Sequence, residues 1–565
     1  MTSFLLPLKT RYWILFFTIC TSMKVLFITW WVLSGIGKWI TAASIGALLK
    51  WAGLKVFCQK FDGYLNVDPW TMSPFQHGEV FVTEDGTETD LDIGHYERFL
   101  DTNLNKYASF TSWKLYEEII FKERRGDYLW GTVQIVPHLT NLVKEKIRLW
   151  YDSAWADITI IEIGGTVGDM ENEYILESAR QLRNELWEDN VRFIHIALLP
   201  YLLASKELKS KPIQHSIRTL MSYGINPDFL IVRADNPIPE EIIEKISLNI
   251  GMKLENIIWA PTLDTIYRVP MIFHNEHFGE KILQCFKLKN EKPDMREWEI
   301  FLNNIDSSFE IIKIGMVGKY TELEDAYYSL NEWLKCAGFV FQKKVELHFI
   351  EAEDIEKNGI HILEEMDGIC IPGGFWNRWI EGMIQTTKYA RDNKIPFLWI
   401  CLGSQIMAIE FARNVLGLSD ASSEEFTPDG SNNVIHIMEH QKNLTSKWGN
   451  MRLGSYLCNI HPKTLAEKLY TNSDWPIIKT NSSITISERH RHRFEFNPSY
   501  RVKMEEAGFI VSASSPDGML AEIVEIKNHP YMIATQSHPE LISRPNRPHP
   551  LFRGFIQAII KNRIL

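Results

Sequence analysis

The chain has 565 residues, 45% of them apolar and 23% charged, with a formal net charge of −11. That length suggests several domains with large buried cores and excludes a disordered chain, while the acidic balance argues against a general nucleic-acid binder and leaves room for local basic clusters that suit small phosphorylated ligands. The seven cysteines (Cys20, Cys58, Cys285, Cys336, Cys370, Cys401 and Cys458) include no C-x-x-C pair, which excludes a dense disulfide scaffold, argues against a zinc site and makes a reducing cytoplasm the simplest compartment.

Residues 1–22 carry Lys9 and Arg11 ahead of a short apolar run, residues 13–20. The run is too short for a bilayer, which needs about 20 apolar residues. Its positive flank would suit a signal peptide, but no small-residue cleavage site follows. Met23-Lys-Val-Leu-Phe-Ile-Thr29 reads as a buried first strand. The preferred reading starts the chain at Met23, with 1–22 a doubtful extension. Further β-rich runs at Leu54–Gln59, Ile158–Ile163, Phe193–Leu199 and Phe229–Val232 alternate with helical segments, the pattern of parallel strands with crossover helices.

After the first strand, Ser-Gly-Ile-Gly-Lys-Trp-Ile (34–40) opens a helix. It is P-loop-like but lacks the leading Gly and the trailing hydroxyl of the full pattern; a Lys at a helix start behind a Gly-rich turn still suits phosphates. The stretch from His77 to Arg98 crowds carboxylates into a Gly-containing loop. These would repel without a cation, and Mg²⁺ held by one or two of them plus nucleotide phosphates resolves that. Glu162, at the end of an apolar strand, is a natural second ligand. Lys209 and Lys211 add positive charge for a triphosphate.

Lys287–Asp294 is polar and Pro-containing and reads as a linker, followed by a helix around Met295–Asn303. A second α/β block begins at Ile311–Val317 and continues with strands at Val345–Ile350, Gly368–Ile371, Phe397–Ile400 and Tyr531–Thr535. Cys401 sits where the fourth of these runs into the helical Ile406–Ala412. A nucleophile at such a bend is exposed, and a helix N-terminus behind it favours thiolate. His538, after the last strand, can take the thiol proton, and Glu540 can orient the imidazole. Paired glycines in Ile371-Pro-Gly-Gly-Phe375 can bring backbone N–H groups to an oxyanion. The run Glu488-Arg-His-Arg-His-Arg-Phe-Glu495 is cationic and suits a carboxylate.

PGGF, ICLG and HPE in that order resemble a class I glutamine amidotransferase. The resemblance implies that Cys401 attacks the glutamine amide, with His538 as base and Glu540 as orienting acid, and that Gly374, Leu402, Gly403, Ser404, Gln405, Glu425 and Arg493 hold glutamine. Ser404 departs from the family's usual Met. From Met23 onward, the string from His77 to Arg98 and Glu123-Arg-Arg-Gly-Asp127 resemble the CTP synthase family. This implies an α/β fold with a P-loop-like parallel-sheet amidoligase domain over 23–288, a linker over 289–308 and an α/β glutamine amidotransferase domain over 309–565. The same resemblance implies ATP binding by Gly35, Ile36, Gly37, Lys38, Trp39, Ile40, Asp92, Pro261, Thr262 and Leu263. UTP or the product CTP falls to Ser34, Asp169, Met170, Glu171, Lys209, Ser210, Lys211, Pro212, Ile213, Gln214 and Lys245, and Mg²⁺ to Asp92 and Glu162. Lys38 and Lys60 would neutralise the transferring phosphoryl group. Implied too are phosphorylation of UTP at O4, amination by ammonia carried through a protected channel, GTP as allosteric activator, and a cytoplasmic homotetramer without nucleic-acid or membrane partners.

The chain has 19 Trp against 32 Gly, and Trp stands repeatedly where the family has Gly: Trp30, Trp31, Trp39, Trp70, Trp113, Trp130, Trp376, Trp379, Trp399 and Trp448. Overpacking costs roughly 1–3 kcal/mol per site, so about ten such changes would exceed a typical stability of about 5–15 kcal/mol. The catalytic strings are nevertheless intact. The expectation is that UGA codons, read as glycine in the source organism, have been translated as Trp, whereas Trp298 and Trp333 are ordinary. Two alternatives stand beside the leading one: another ATP-dependent amidoligase with the same two domains, and a catalytically impaired scaffold or filament-forming homologue should the Trp residues be genuine.

Overall fold

The computed structural model describes residues 23–31, 35–66, 78–154, 156–289, 291–319, 324–374, 379–437, 451–480 and 483–564. The expectations for residues 1–22, Ser34, Trp70, His77, Trp376 and Trp448 lie outside them. The chain divides into two compact units, residues 1–71 with 92–295 and residues 72–91 with 296–565. Residues 72–91 therefore group with the second unit, where the sequence reading drew one uninterrupted stretch from 23 to 288.

The first unit is built on a seven-stranded sheet. Its strands are β1 (Val25–Trp31), β2 (Val56–Asp62), β3 (Ser109–Thr111), β4 (Ile158–Ile163), β5 (Val191–Leu198), β6 (Phe229–Ala234) and β7 (Ile257–Pro261), in the order β7-β6-β5-β1-β4-β2-β3. Every pairing is parallel. Parallel sheets are covered on both faces, and Ile-Thr-Ile-Ile-Glu-Ile in β4 is buried at all six positions. Phe27 and Phe193 stack across β1 and β5 at 5.1 Å. The helix Lys38–Trp51 returns the chain from β1 to β2 and starts from Gly37, a left-handed position at φ 93°. Gly35 is likewise left-handed at φ 80°, so the loop makes the turn its two glycines permit.

The second unit carries a ten-stranded mixed sheet. Its strands are β8 (Glu310–Gly318), β9 (Lys343–Glu351), β10 (Gly368–Ile371), β11 (Phe397–Ile400), β12 (Arg452–Ile460), β13 (Ile478–Lys479), β14 (Ile484–His492), β15 (Phe509–Ser514), β16 (Ala521–Ile526) and β17 (Met532–Thr535), in the order β9-β8-β10-β11-β17-β16-β15-β12-β14-β13. The half from β9 to β17 is parallel, and the remainder is antiparallel. A small hairpin of Phe81–Val82 with Glu88–Thr89 seats on β12 and β14. There the Ser455 N–H donates to Glu84 O at 2.9 Å.

The tryptophans fall into two geometries. Trp333 is fully buried, and its indole N–H donates to Glu540 O at 2.6 Å. Trp298 is buried within the helix Arg296–Asp306. By contrast, the indole nitrogens of Trp30 and Trp399 are buried without a hydrogen-bond partner. Trp399 is pressed against Phe397 at 3.5 Å between ring centroids. Trp130 and Trp379 lie at φ 65° and 57°. Trp187, which the sequence reading did not single out, has φ 68° and ψ 154°, a combination essentially confined to glycine. These backbones favour the glycine reading. Codons for residues 130, 187, 379 and 399 are expected to be UGA, and peptides from the native protein spanning them should have the masses of glycine. UGG codons or indole masses would overturn it.

Candidate active site

Two groups of functional side chains form, each within its own unit. In the first, Lys60 on β2 and Glu162 on β4 are register partners. Lys60 is buried; its ammonium donates to Asp92 at 2.6 Å and lies 3.3 Å from Asp62. Asp92 occupies the first turn of the helix Leu91–Leu100, where the helix dipole favours an anion. Glu162 is fully buried and accepts a hydrogen bond from the Tyr96 phenol. Its other oxygen faces Lys38 at 3.5 Å and has no hydrogen-bond partner. Burial pushes the Glu162 carboxyl up to about 7, with Asp92 adding to the rise and Lys38 and Lys60 opposing it. A buried carboxylate oxygen without a hydrogen bond, beside a second carboxylate, suits a divalent cation that completes its shell with phosphate oxygens. Among the described residues no group of three or more His, Cys, Asp or Glu is placed to hold a metal.

Beside this pair lies a cavity of ≈ 190 Å³ lined by Gly35, Ile36, Gly37, Trp39, Ile40, Pro261, Thr262 and Leu263. The residues expected to take ATP from both ends of the first unit thus meet at one place. Trp39 stacks on His95 at 3.6 Å. Arg233, not singled out from the sequence, also lines the cavity and donates to Ala260 O and the Thr262 hydroxyl at 2.9 and 3.0 Å. Its signal was its place at the end of β6.

The residues expected to take UTP are also brought together. The turn Asp169–Glu171 lies against the end of β2: a Cβ added at Gly63 would come within 2.8 Å of Glu171 Cβ. The helix Lys211–Ser222, carrying Lys211, Pro212, Ile213 and Gln214, packs near Gly168 through Thr219. Ser210 precedes that helix, Lys209 pairs with Glu207, and Lys245 lies near enough to depress the same Glu207 carboxyl.

In the second unit, Cys401 turns from β11 into the helix Leu402–Asn414 with φ 53° and ψ −104°. This conformation is strained for an L-residue and holds the thiol out of the helix. His538 Nδ1 lies 2.6 Å from Glu540 Oε1. Burial disfavours the His538 imidazolium, but Glu540 and the Cys401 thiol outweigh it and raise its pKa well above that of ordinary histidine. Gly373 fits between them, for a Cβ there would lie 3.0 Å from His538 Cε1 and 3.5 Å from Cys401 Cβ. A side chain there would press on the imidazole. Gln536, unassigned in the sequence reading although it heads the His538 string, donates to Cys401 Sγ at 3.8 Å.

The expected glutamine residues surround this centre. Leu402 reaches Gly374, Ser404 Oγ donates to Cys401 O at 2.7 Å, and Gln405 donates to Phe494 O at 3.2 Å, next to Arg493. A Cβ at Gly403 would lie 2.9 Å from Ile371 O, so the helix start is pressed onto β10. The sequence reading missed Lys319, whose stem passes 3.9 Å from a Cβ placed at Gly374. Burial lowers its ammonium to about 8, with Glu425 pulling the other way.

Comparisons with known proteins identify what the chain is similar to. The family model for the CTP synthase N-terminus matches residues 24–288, and that for class-I glutamine amidotransferase matches 322–558. The CTP synthase of Halalkalibacterium halodurans is 48% identical over 539 residues, 95% of this chain and 99% of the relative. That of Dehalococcoides mccartyi is 50% identical over 539 residues, covering 95% and 97%. The glutaminase domain of Trypanosoma brucei CTPS with bound acivicin aligns at 32% identity over 44% of this chain and 94% of that one, with a TM-score of 0.40.

The pairing of His538 with Glu540 has a measurable consequence. Glu540→Gln removes one of the charges that stabilise the imidazolium, so the His538 titration followed by NMR should move down toward pH 6.5. Nucleophilic turnover should fall by about 10²-fold or more, the scale of a lost acid–base partner. An unmoved titration would show that Glu540 does not govern the base.

Proposed function

This chain belongs to the CTP synthase family and aminates UTP to CTP with ammonia from glutamine, and we propose the following division of labour among its residues. Cys401 thiolate attacks the glutamine side-chain carbonyl, and the oxyanion is stabilised by backbone N–H groups beside Gly373 and Gly374. His538 gives its proton to the departing ammonia, and water then attacks the glutamyl thioester with His538 as base, releasing glutamate and restoring the thiol. Glu540 keeps the ring oriented through both steps.

In the first unit, ATP phosphorylates O4 of UTP. Ammonia adds at C4 and phosphate leaves, giving CTP, ADP and phosphate. Lys38 and Lys60 offset charge on the transferring phosphoryl group. Asp92 and Glu162 would hold Mg²⁺, which supplies charge neutralisation to the ATP phosphates when bound. The cavity from Gly35 to Leu263 takes ATP, and Asp169–Glu171, Lys209–Gln214 and Lys245 take UTP or CTP. GTP as an activator, a homotetramer and a cytoplasmic location belong to the same proposal and rest on family likeness; among the described residues, no helix is long and apolar enough to cross a membrane.

The observation that carries this reading is the Lys60–Asp92 contact beside buried Glu162, a phosphoryl-transfer set, in a chain that also holds Cys401 against His538 and Glu540. The alternative of an impaired scaffold finds no support in relatives of this identity and coverage.

Cys401→Ala should abolish CTP formation from glutamine while sparing formation from added ammonia. Lys60→Ala should lower both by at least 10²-fold. Loss of ammonia-dependent activity in Cys401→Ala would contradict the assignment.

A further inference from the structure

The strand Ile484–His492 touches the catalytic pair through its backbone and the hairpin Phe81–Thr89 through its side chains. The Arg489 carbonyl accepts the His538 N–H at 2.7 Å, and the Arg491 carbonyl lies 3.7 Å from Cys401 Sγ. On the side-chain face, Arg491 Nε donates to Glu88 Oε1 at 2.9 Å, with only 14% and 10% of the two side chains exposed. Fully buried Arg489 donates to Val82 O at 3.1 Å and to Leu541 O, next to Glu540, at 3.2 Å. The hairpin is seated where two left-handed glycines meet: a Cβ at Gly454 would fall 2.6 Å from Gly86 N. Neither Glu88 nor Arg491 touches the thiol or imidazole with its side chain. Their effect runs through the strand that both reacting groups lean on.

We propose that Glu88 and Arg491 are a positioning pair for the glutaminase centre, setting the strand Ile484–His492 at the depth at which its Arg491 and Arg489 carbonyls align Cys401 and His538. The inference rests on the reading of Cys401 as the glutaminase nucleophile. A charge-assisted, largely desolvated pair between side chains holds a distance more tightly than an exposed one. A displacement of about 1 Å at reacting atoms can cost about 10²-fold in rate. The hairpin lies far from β14 in sequence, between two stretches of the first unit, yet it groups with the second unit, so the glutaminase centre takes part of its shape from a segment of its own unit that is remote along the chain.

The test uses the full-length protein with Glu88→Gln, Arg491→Ala, the double substitution and the charge exchange Glu88→Arg/Arg491→Glu. Glutaminase kcat should fall ten- to a hundredfold in each single variant with KM for glutamine within about twofold. The double substitution should be no worse than Arg491→Ala, because partners in one contact are not additive, and the exchange should recover part of kcat. CTP formation from added ammonia should stay at the wild-type level, which a general loss of folding would not permit. The proposal is overturned by unchanged glutaminase kcat in the single variants, by additive losses in the double, or by parallel loss of the ammonia reaction. Cys401→Ala run alongside separates the two readings: if it leaves glutaminase intact the nucleophile assignment has failed, and if it abolishes glutaminase while Glu88→Gln has no effect only the positioning pair has failed.

Discussion

A parallel sheet ends all of its strands on one edge, and both groups of candidate site residues lie on such edges. In the first unit, β1 ends into the Gly35–Gly37 loop, β2 presents Lys60 near its end, β4 presents Glu162, and β7 ends in Pro261. In the second, β10 ends ahead of Gly373, β11 ends at Cys401, and β17 ends ahead of His538. No pair of these residues needs to be near in sequence. The hydrogen-bond ladder sets their spacing, and the crevice outside the carboxyl ends is the place where open α/β sheets take ligands. The sheets place the groups; the strained turns at their ends aim them. Cys401 at φ 53° is the sharpest case, because its backbone is held by a 2.8 Å hydrogen bond from its own N–H to Thr535 O on the neighbouring strand.

The same edge concentrates charge that burial alone would disfavour. Glu162 is wholly buried beside Lys38, and Lys60 is buried between Asp62 and Asp92. Desolvated ions are tolerated when paired, and removing one partner leaves the other at high cost. The first unit therefore keeps two lysines and three carboxylates in balance with one another. Under the proposed assignment, nucleotide phosphates would bring negative charge that the lysines favour and the carboxylates resist, and a divalent cation would relieve the resistance. In the second unit the balance is tighter. Glu540 and the Cys401 sulfur together raise the His538 pKa against the burial that lowers it.

Local pattern revealed much of this. The continuous apolar strings Ile158–Ile163, Gly368–Ile371 and Phe397–Ile400 became strands with the same bounds, since a strand buried on both faces leaves no other reading for a short apolar run between turns. The cysteine at a strand end and the glycine pair were legible for the same reason. What the pattern hid depended on partners distant in sequence. Ser109–Thr111 is a three-residue edge strand, too short for any periodicity. The antiparallel strands Arg452–Ile460 and Ile484–His492 carry Arg, His and Glu on buried positions, where Arg452 meets Glu495 and Glu522 at 3.3 and 2.8 Å, so their polarity disguised them as surface. The hairpin Phe81–Thr89 looked like part of a metal loop because its carboxylates were counted without knowing that Glu88 faces Arg491. Lys319 gave no signal at all, for a lone lysine after a strand carries no mark of burial.

The tryptophans show how geometry can test a residue's identity independently of its chemistry. An indole in a core needs ordinary backbone and a partner for its N–H. Trp333 has both: it sits within a helix and donates to Glu540 O, so it braces the backbone at Glu540. Trp399 has an ordinary strand backbone but no partner and a ring crowded against Phe397, while its Cδ1 would meet a Cβ at Gly403 within 2.6 Å. Trp187 fails on backbone instead, in a region where a side chain is strained whatever space surrounds it. Two unrelated demands thus fail at positions scattered through both units, while Trp333 meets both. The candidate catalytic side chains lie among them undisturbed. Random decay would strike catalytic residues as readily as glycines, whereas a change confined to one codon strikes a single residue type and leaves the rest of the machinery whole.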